Sequence, residues 1–152
     1  MIHNIVYISA AVRPFTRDEL AKLLKECRTN NEKEGITGLL MYHDQQFFQV
    51  LEGPANKLES IYKKISCDQR HRGVLTLQEG QSEQRHFSQW EMGLAEISNF
   101  SDAFQGQFVN LCKLHEHKSF EELNSDPIVS IFARTFLEDI REFCSLLETS
   151  LK

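Results

Sequence analysis

From Ile2 to Ser9 the chain is rich in β-branched and aromatic residues and then meets a turn at Arg13-Pro14, the pattern of a buried strand. Thr16-Arg17-Asp18-Glu19 opens a helix as a capping box, in which the Thr16 hydroxyl and the Glu19 carboxylate each satisfy a free N–H. Leu20, Leu23, Leu24 and Cys27 continue it as an apolar stripe. Asn30-Asn31 predicts its end, because asparagine tolerates the left-handed conformation of a helix terminus. Gly35 and Gly38 bracket the entry to a second strand, about Thr37 to His43. The polar tetrad His43-Asp44-Gln45-Gln46 then turns the chain into a third, Phe47 to Glu52, which makes a hairpin. After Gly53-Pro54 a second amphipathic helix carries Leu58, Ile61, Tyr62 and Ile65, and a loop with Arg70-His71 leads to a fourth strand from about Gly73 to Glu79.

The order βαββαβ predicts an α+β domain of ferredoxin-like type, with both helices on one face of a four-stranded sheet whose first and third strands are adjacent and parallel. By strand alternation Ile5, Tyr7 and Ser9 oppose Val6 and Ile8, and Phe47, Gln49 and Leu51 oppose Phe48 and Val50, so both sheet faces are apolar. The second face needs a cover. The rest of the chain offers one helix with Phe104, Phe108 and Leu111, and another from Asp126-Pro127 that carries Ile128, Ile131, Phe132, Phe136, Ile140, Phe143 and Leu147. The expectation is a domain over 1–97 and a C-terminal helical extension over 98–152, the helical pair packing on the far face within one compact unit.

At 152 residues the chain has room for one domain with a real core. A net charge of −5 gives no attraction to phosphate backbones or anionic lipid, so neither nucleic acid nor membrane is expected as a partner. No apolar run approaches the ~20 residues that span a bilayer, and Met1 to Tyr7 lacks the regions of a signal peptide, which predicts a cytoplasmic protein. Cys27, Cys67, Cys112 and Cys144 form no CxxC pair and read as reduced thiols; with His115 and His117 they make no metal-ligand pattern.

The informative positions are polar ones where the pattern demands apolar residues. Tyr7 and Gln49 share one predicted sheet face and can hydrogen-bond; an unpaired buried amide would cost about 1 to 3 kcal/mol, so a purely structural pair is the ordinary reading. Asn30 and Asn31 are ordinarily a helix cap, Arg70 and His71 a solvated loop pair, and Trp90 and Met92 packing residues of an added strand.

Together these segments resemble the BLUF family, sensors of blue light using flavin. The match runs from about Ile2 to Leu94. It comprises Tyr7, Asn30-Asn31, Gly35-Ile36-Thr37-Gly38-Leu39-Leu40, Phe47-Phe48-Gln49-Val50-Leu51-Glu52-Gly53, Asp68-Gln69-Arg70-His71 and Phe87-Ser88-Gln89-Trp90-Glu91-Met92, in family order and spacing. The tail is similar to that of short members without an enzymatic output domain.

The resemblance implies a non-covalent flavin between the two crossover helices. Asn31 would grip its polar edge, Asn30 would support it or reach the ribityl chain, Gln49 would touch the ring and Tyr7 would sit behind Gln49. Arg70, His71 and Asp68 would line the ribityl and phosphate end, and Trp90 and Met92 would couple the flavin to the sheet from a fifth strand. Some relatives carry a basic residue just before the asparagine pair; here Thr29 intervenes and Arg28 lies one step farther, which leaves FAD, FMN and riboflavin all open. The implied function is a blue-light photoreceptor and not an enzyme. Its output would leave through the fifth strand or the helical tail, to a partner protein or a second subunit of a homo-oligomer. Two alternatives compete. An acylphosphatase-like enzyme would use Arg13, but Ser9 to Pro14 contains no glycine to cradle a phosphate. A flavin-free interaction module would make Tyr7 and Gln49 merely structural.

Overall fold

A computed structural model describes residues 1–88, 92–95, 98 and 101–117. The elements are β1 (Ile2–Ala11), α1 (Arg17–Glu34), β2 (Thr37–His43), β3 (Gln46–Gly53), α2 (Ala55–Ser66), β4 (His71–Ser82), β5 (Gly93–Ala95) and α3 (Asp102–His117). The chain forms two compact units, Met1–Ala95 and Glu96–Lys152. The first holds a five-stranded mixed sheet in the order β4-β1-β3-β2-β5, the expected α+β, ferredoxin-like arrangement with a fifth strand added.

One expectation fails. β1 and β3 are adjacent but antiparallel, not parallel. A tight hairpin makes β3 antiparallel to β2, whereas the α1 crossover makes β1 and β2 run the same way; a strand inserted between them opposes both. The facing of side chains is unaffected, because alternation depends on register and not direction. Ile5 pairs with Leu51, Tyr7 with Gln49 and Ser9 with Phe47, so all six share a face. On that face Leu24 of α1 and Leu58 of α2 close over Tyr7, Leu40, Phe47 and Leu51. Val6, Ile8, Phe48 and Val50, on the opposite face, are also buried.

The capping box at Thr16 forms as expected, with Glu19 N–H donating to Thr16 Oγ1 and Thr16 N–H to Glu19 Oε2. The helix does not end at Asn30-Asn31. It continues to Glu34, and Gly35, at φ 66°, takes the left-handed position while Ile36 N–H closes onto Asn31 O at 2.9 Å. Glycine reaches that conformation without the steric cost asparagine bears, so the later residue wins. The β2–β3 turn is made by Asp44 and Gln45, both at positive φ, the geometry that matches strand twist in a two-residue hairpin. β4 starts earlier than expected, which moves His71 from a loop into the sheet.

α3 realises the first predicted tail helix, with Phe108 and Leu111 buried. The second, from Asp126-Pro127, lies outside the described residues, and with it the expected helical pair. Trp90 also lies outside them.

Candidate functional site

A cleft of about 290 Å3 opens between α1 and α2 over the β1–β3 face, at the lower end of the roughly 300–1,000 Å3 typical of small-molecule sites. The helical period builds its walls. Leu23, Cys27, Asn30 and Asn31 recur down one side of α1, Ile61 and Ile65 down α2, and Leu40, Phe47 and Leu51 form an apolar floor. Into this floor the two central strands insert the polar side chains of Tyr7 and Gln49, and β4 brings His71 to the lining.

The Tyr7 hydroxyl donates to Gln49 Oε1, and Gln49 Nε2 donates to Met92 Sδ at 3.3 Å. All three residues are buried, Met92 at 1% exposure. Burial pushes the Tyr7 phenol far above its ordinary range, with Cys27 and Tyr62 adding to the effect, so the hydroxyl keeps its proton and acts as the donor. That assignment orients the amide, since a thioether cannot donate and must face the NH2 end. Met92 stands one residue before β5 and not within it.

Asn31 is buried and Asn30 exposed, both on the cleft side of α1. Arg70, Asp68 and His71 also line the cleft, yet much of their hydrogen-bonding capacity is already used. Arg70 donates Nη2 to Asp68 Oδ2 at 2.7 Å, Nε to both Asp68 oxygens and Nη1 to Glu26 Oε2 at 3.2 Å. Asp68 raises the Arg70 pKa, and Arg70 in turn holds the Asp68 carboxyl below its usual value. His71 Nε2 faces the Ile65 carbonyl and so carries the proton, while Nδ1 meets Ser9 Oγ at 2.8 Å. His71 is thus a strut between α2 and β1, and the Arg70 charge is balanced by two carboxylates; both stand at the cleft, where the resemblance set them with Asp68 at the ribityl and phosphate end. Burial raises the Cys27 thiol, which therefore stays protonated at neutral pH.

Other polar contacts were not foreseen. Arg28, one step farther from the asparagine pair than the basic residue of some relatives, does not line the cleft; its Nε donates to the Met92 carbonyl at 2.9 Å. Glu52 is fully buried and accepts from the backbone N–H groups of His86 and Phe87, with His86 Nδ1 2.7 Å away. Arg85 donates to Thr37 Oγ1, Glu52 O and Gly35 O. A carboxylate near the end of a largely apolar strand was a readable signal that such partners must exist.

A flavin presents a planar, largely apolar ring with one hydrogen-bonding edge. An apolar cleft with a buried asparagine on its wall and a glutamine amide on its floor suits that chemistry. Among the described residues no group of histidine, cysteine or acidic side chains could hold a metal ion, and no helix is long and apolar enough to cross a membrane.

Comparison with known proteins agrees. The family model described as "Sensors of blue-light using FAD" matches residues 2–93. The photoactivated adenylate cyclase subunit alpha of Euglena gracilis is 30% identical over 102 residues, which cover 66% of this chain but only 10% of that protein. The photo-activated state of BlsA superposes with TM-score 0.62 at 30% identity, covering 73% of this chain and 79% of that one. Klebsiella pneumoniae BlrP1, solved with FMN and cyclic diGMP, gives 0.60 at 34% identity, over 68% of this chain and 28% of that one. A match spanning more than half of the sequence, on a fold whose cleft has the right chemistry, shows that the chain belongs to the BLUF family, the sensors of blue light using FAD.

Proposed function

We propose that this domain converts blue light into a reversed Gln49 amide, read out by Met92. The observation that carries the reading is the buried chain from the Tyr7 hydroxyl through Gln49 to Met92 Sδ. Asn31 holds the flavin edge, Asn30 the start of its side chain, and the Asp68–Arg70–His71 cluster shapes the mouth of the cleft. Bound flavin supplies an excited state oxidising enough to draw an electron from a nearby phenol.

Tyr7 would meet that demand by giving up an electron and its hydroxyl proton together, the electron to the bound flavin and the proton along its hydrogen bond to Gln49 toward the same ring; this avoids a lasting charge in a low-dielectric site, and both would return to Tyr7 afterwards. While the phenol is altered, Gln49 loses the donor that fixed its Oε1. A half-turn of the amide then points Nε2 at Tyr7 and Oε1 at Met92 Sδ, at no change in core shape. One hydrogen bond contributes only about 0.5–1.5 kcal/mol, far below the roughly 5.5 kcal/mol that reverses a 1:99 population, so light must drive the change and the lit state is metastable.

In this reading the domain carries no catalysis of its own. It acts in the cytoplasm, signals to an effector by protein contacts and assembles as a homo-oligomer through the helical tail or a sheet face. The relatives named as photoactivated cyclase subunits support an effector partner, and the chain spans about a tenth of their length. The test is an absorption spectrum in the dark and after blue illumination. A small red shift that reverses in darkness supports the reading, and a protein that cannot be loaded with flavin would return Tyr7 and Gln49 to a structural role.

A further inference from the structure

We infer that Arg28 is the positioning residue that holds Met92 against Gln49 in the dark arrangement, through the hydrogen bond from Arg28 Nε to the Met92 carbonyl. The inference rests on the photoreceptor reading of Gln49, but its geometry is independent of the flavin. Met92 is anchored at two points. Its side chain takes the Gln49 amide proton at 3.3 Å, and its backbone carbonyl takes Arg28 Nε at 2.9 Å. Beyond it β5 is only three residues long and lies on the sheet edge, paired to β2 through Leu39–Gly93, Leu40–Leu94 and Met41–Ala95. So short an edge strand has little hold of its own.

Arg28 lies three residues before Asn31 on the helix that walls the cleft. Its Nε donates to a neutral carbonyl on a segment 64 residues away. A charge-assisted bond of this kind is stronger than a neutral one. Gly38 completes the seat. A Cβ there would stand 3.3 Å from Met92 Cε, so the glycine leaves room for the thioether to reach Gln49.

When the amide reverses, Oε1 faces Met92 Sδ, neither atom has a hydrogen to share, and the side-chain anchor is lost. The Arg28 bond is then the anchor that keeps the sulfur beside Gln49, ready to accept Nε2 again. Arg28 therefore governs the return to the dark state and the pairing of β5.

The test compares Arg28→Met, which removes the donor, with Arg28→Gln, whose Nε2 lies the same number of bonds from Cα as the arginine Nε. Arg28 is outside the core stripe of α1, and Arg28→Ala serves as a second donor-less variant. Flavin content is expected to match the parent in all three. Arg28→Met and Arg28→Ala should slow dark recovery roughly threefold or more and speed dark amide exchange at residues 93–95, while Arg28→Gln restores both. In a Met92→Leu background, which keeps the carbonyl but removes the sulfur, Arg28→Met should no longer change recovery. Unchanged recovery and exchange in the donor-less variants, or a failure of Arg28→Gln to restore them, overturns the inference. A parent protein without any red shift would instead count against the photoreceptor reading, and the dark exchange comparison would still decide the anchor.

Discussion

Tyr7 and Gln49 are direct cross-strand partners, and the phenol hydroxyl donates to the amide oxygen inside the core. Opposed side chains on one face of an antiparallel pair are as close as a sheet can bring them. The pair can therefore exchange a hydrogen-bond pattern without moving the backbone.

Tyr7→Phe and Gln49→Leu are predicted to retain flavin while losing the reversible red shift, since the first has no proton to release and the second no amide to reverse. A photocycle of normal amplitude in either variant sinks the mechanism. Tyr7→Phe also leaves Gln49 Oε1 without its donor, which should lower stability by about 1–3 kcal/mol in urea unfolding performed in darkness.

Asn31→Ala should weaken flavin binding by about tenfold or more, because the buried carboxamide on the α1 wall is the polar group best placed for the ring edge. Titration of the apoprotein with FAD, followed by fluorescence quenching, measures this. Unaltered affinity would mean that the ring edge is held elsewhere.

The Arg70 hydrogen bonds hold the folded Asp68 carboxyl below its unfolded value of 3.8, outweighing the upward push of burial. A depressed folded pKa stabilises the protein above the unfolded value, and the contribution disappears as pH falls below it toward the folded value. The melting temperature of Asp68→Asn should therefore lie below the parent's from pH 7 to 5, and the gap should close under acid conditions. The gap is expected to be small, because both partners are partly exposed and the pair is screened. A gap that widened on acidification would contradict the assignment.

Gly38→Ala should be poorly tolerated, since its Cβ would fall 2.0 Å from the Val50 carbonyl oxygen and 3.3 Å from Met92 Cε. Loss of about 1–3 kcal/mol in urea unfolding is expected, together with an altered dark spectrum as Met92 shifts from Gln49. Parental stability would show that β2 and β3 can separate at this point at little cost.

The element order, the capping box at Thr16, the span of β2 and the shared face of Tyr7 and Gln49 were legible in the sequence, because each depends on helical or strand period and on chemistry a few residues away. The family resemblance likewise picked out Asn31 and Gln49, which the fold brings to one cleft, and Met92, which it brings against Gln49. Tertiary structure decided the rest. The end of α1 moved from Asn31 to Glu34 because Gly35 takes the left-handed turn more readily, a competition local pattern did not weigh. The direction of β3 relative to β1 follows from how a hairpin inserts beside a crossover, which no single strand records. The resemblance set Arg70 and His71 at the ribityl and phosphate end of the flavin; the fold lines the cleft with both and also bonds Arg70 to Asp68 and Glu26, His71 to Ser9 and Ile65, and Arg28 to Met92. A long polar side chain takes whichever partner the folded backbone brings within 3 Å or so. Sequence spacing names the donor; the partner, up to 64 residues away, is set only when the sheet closes.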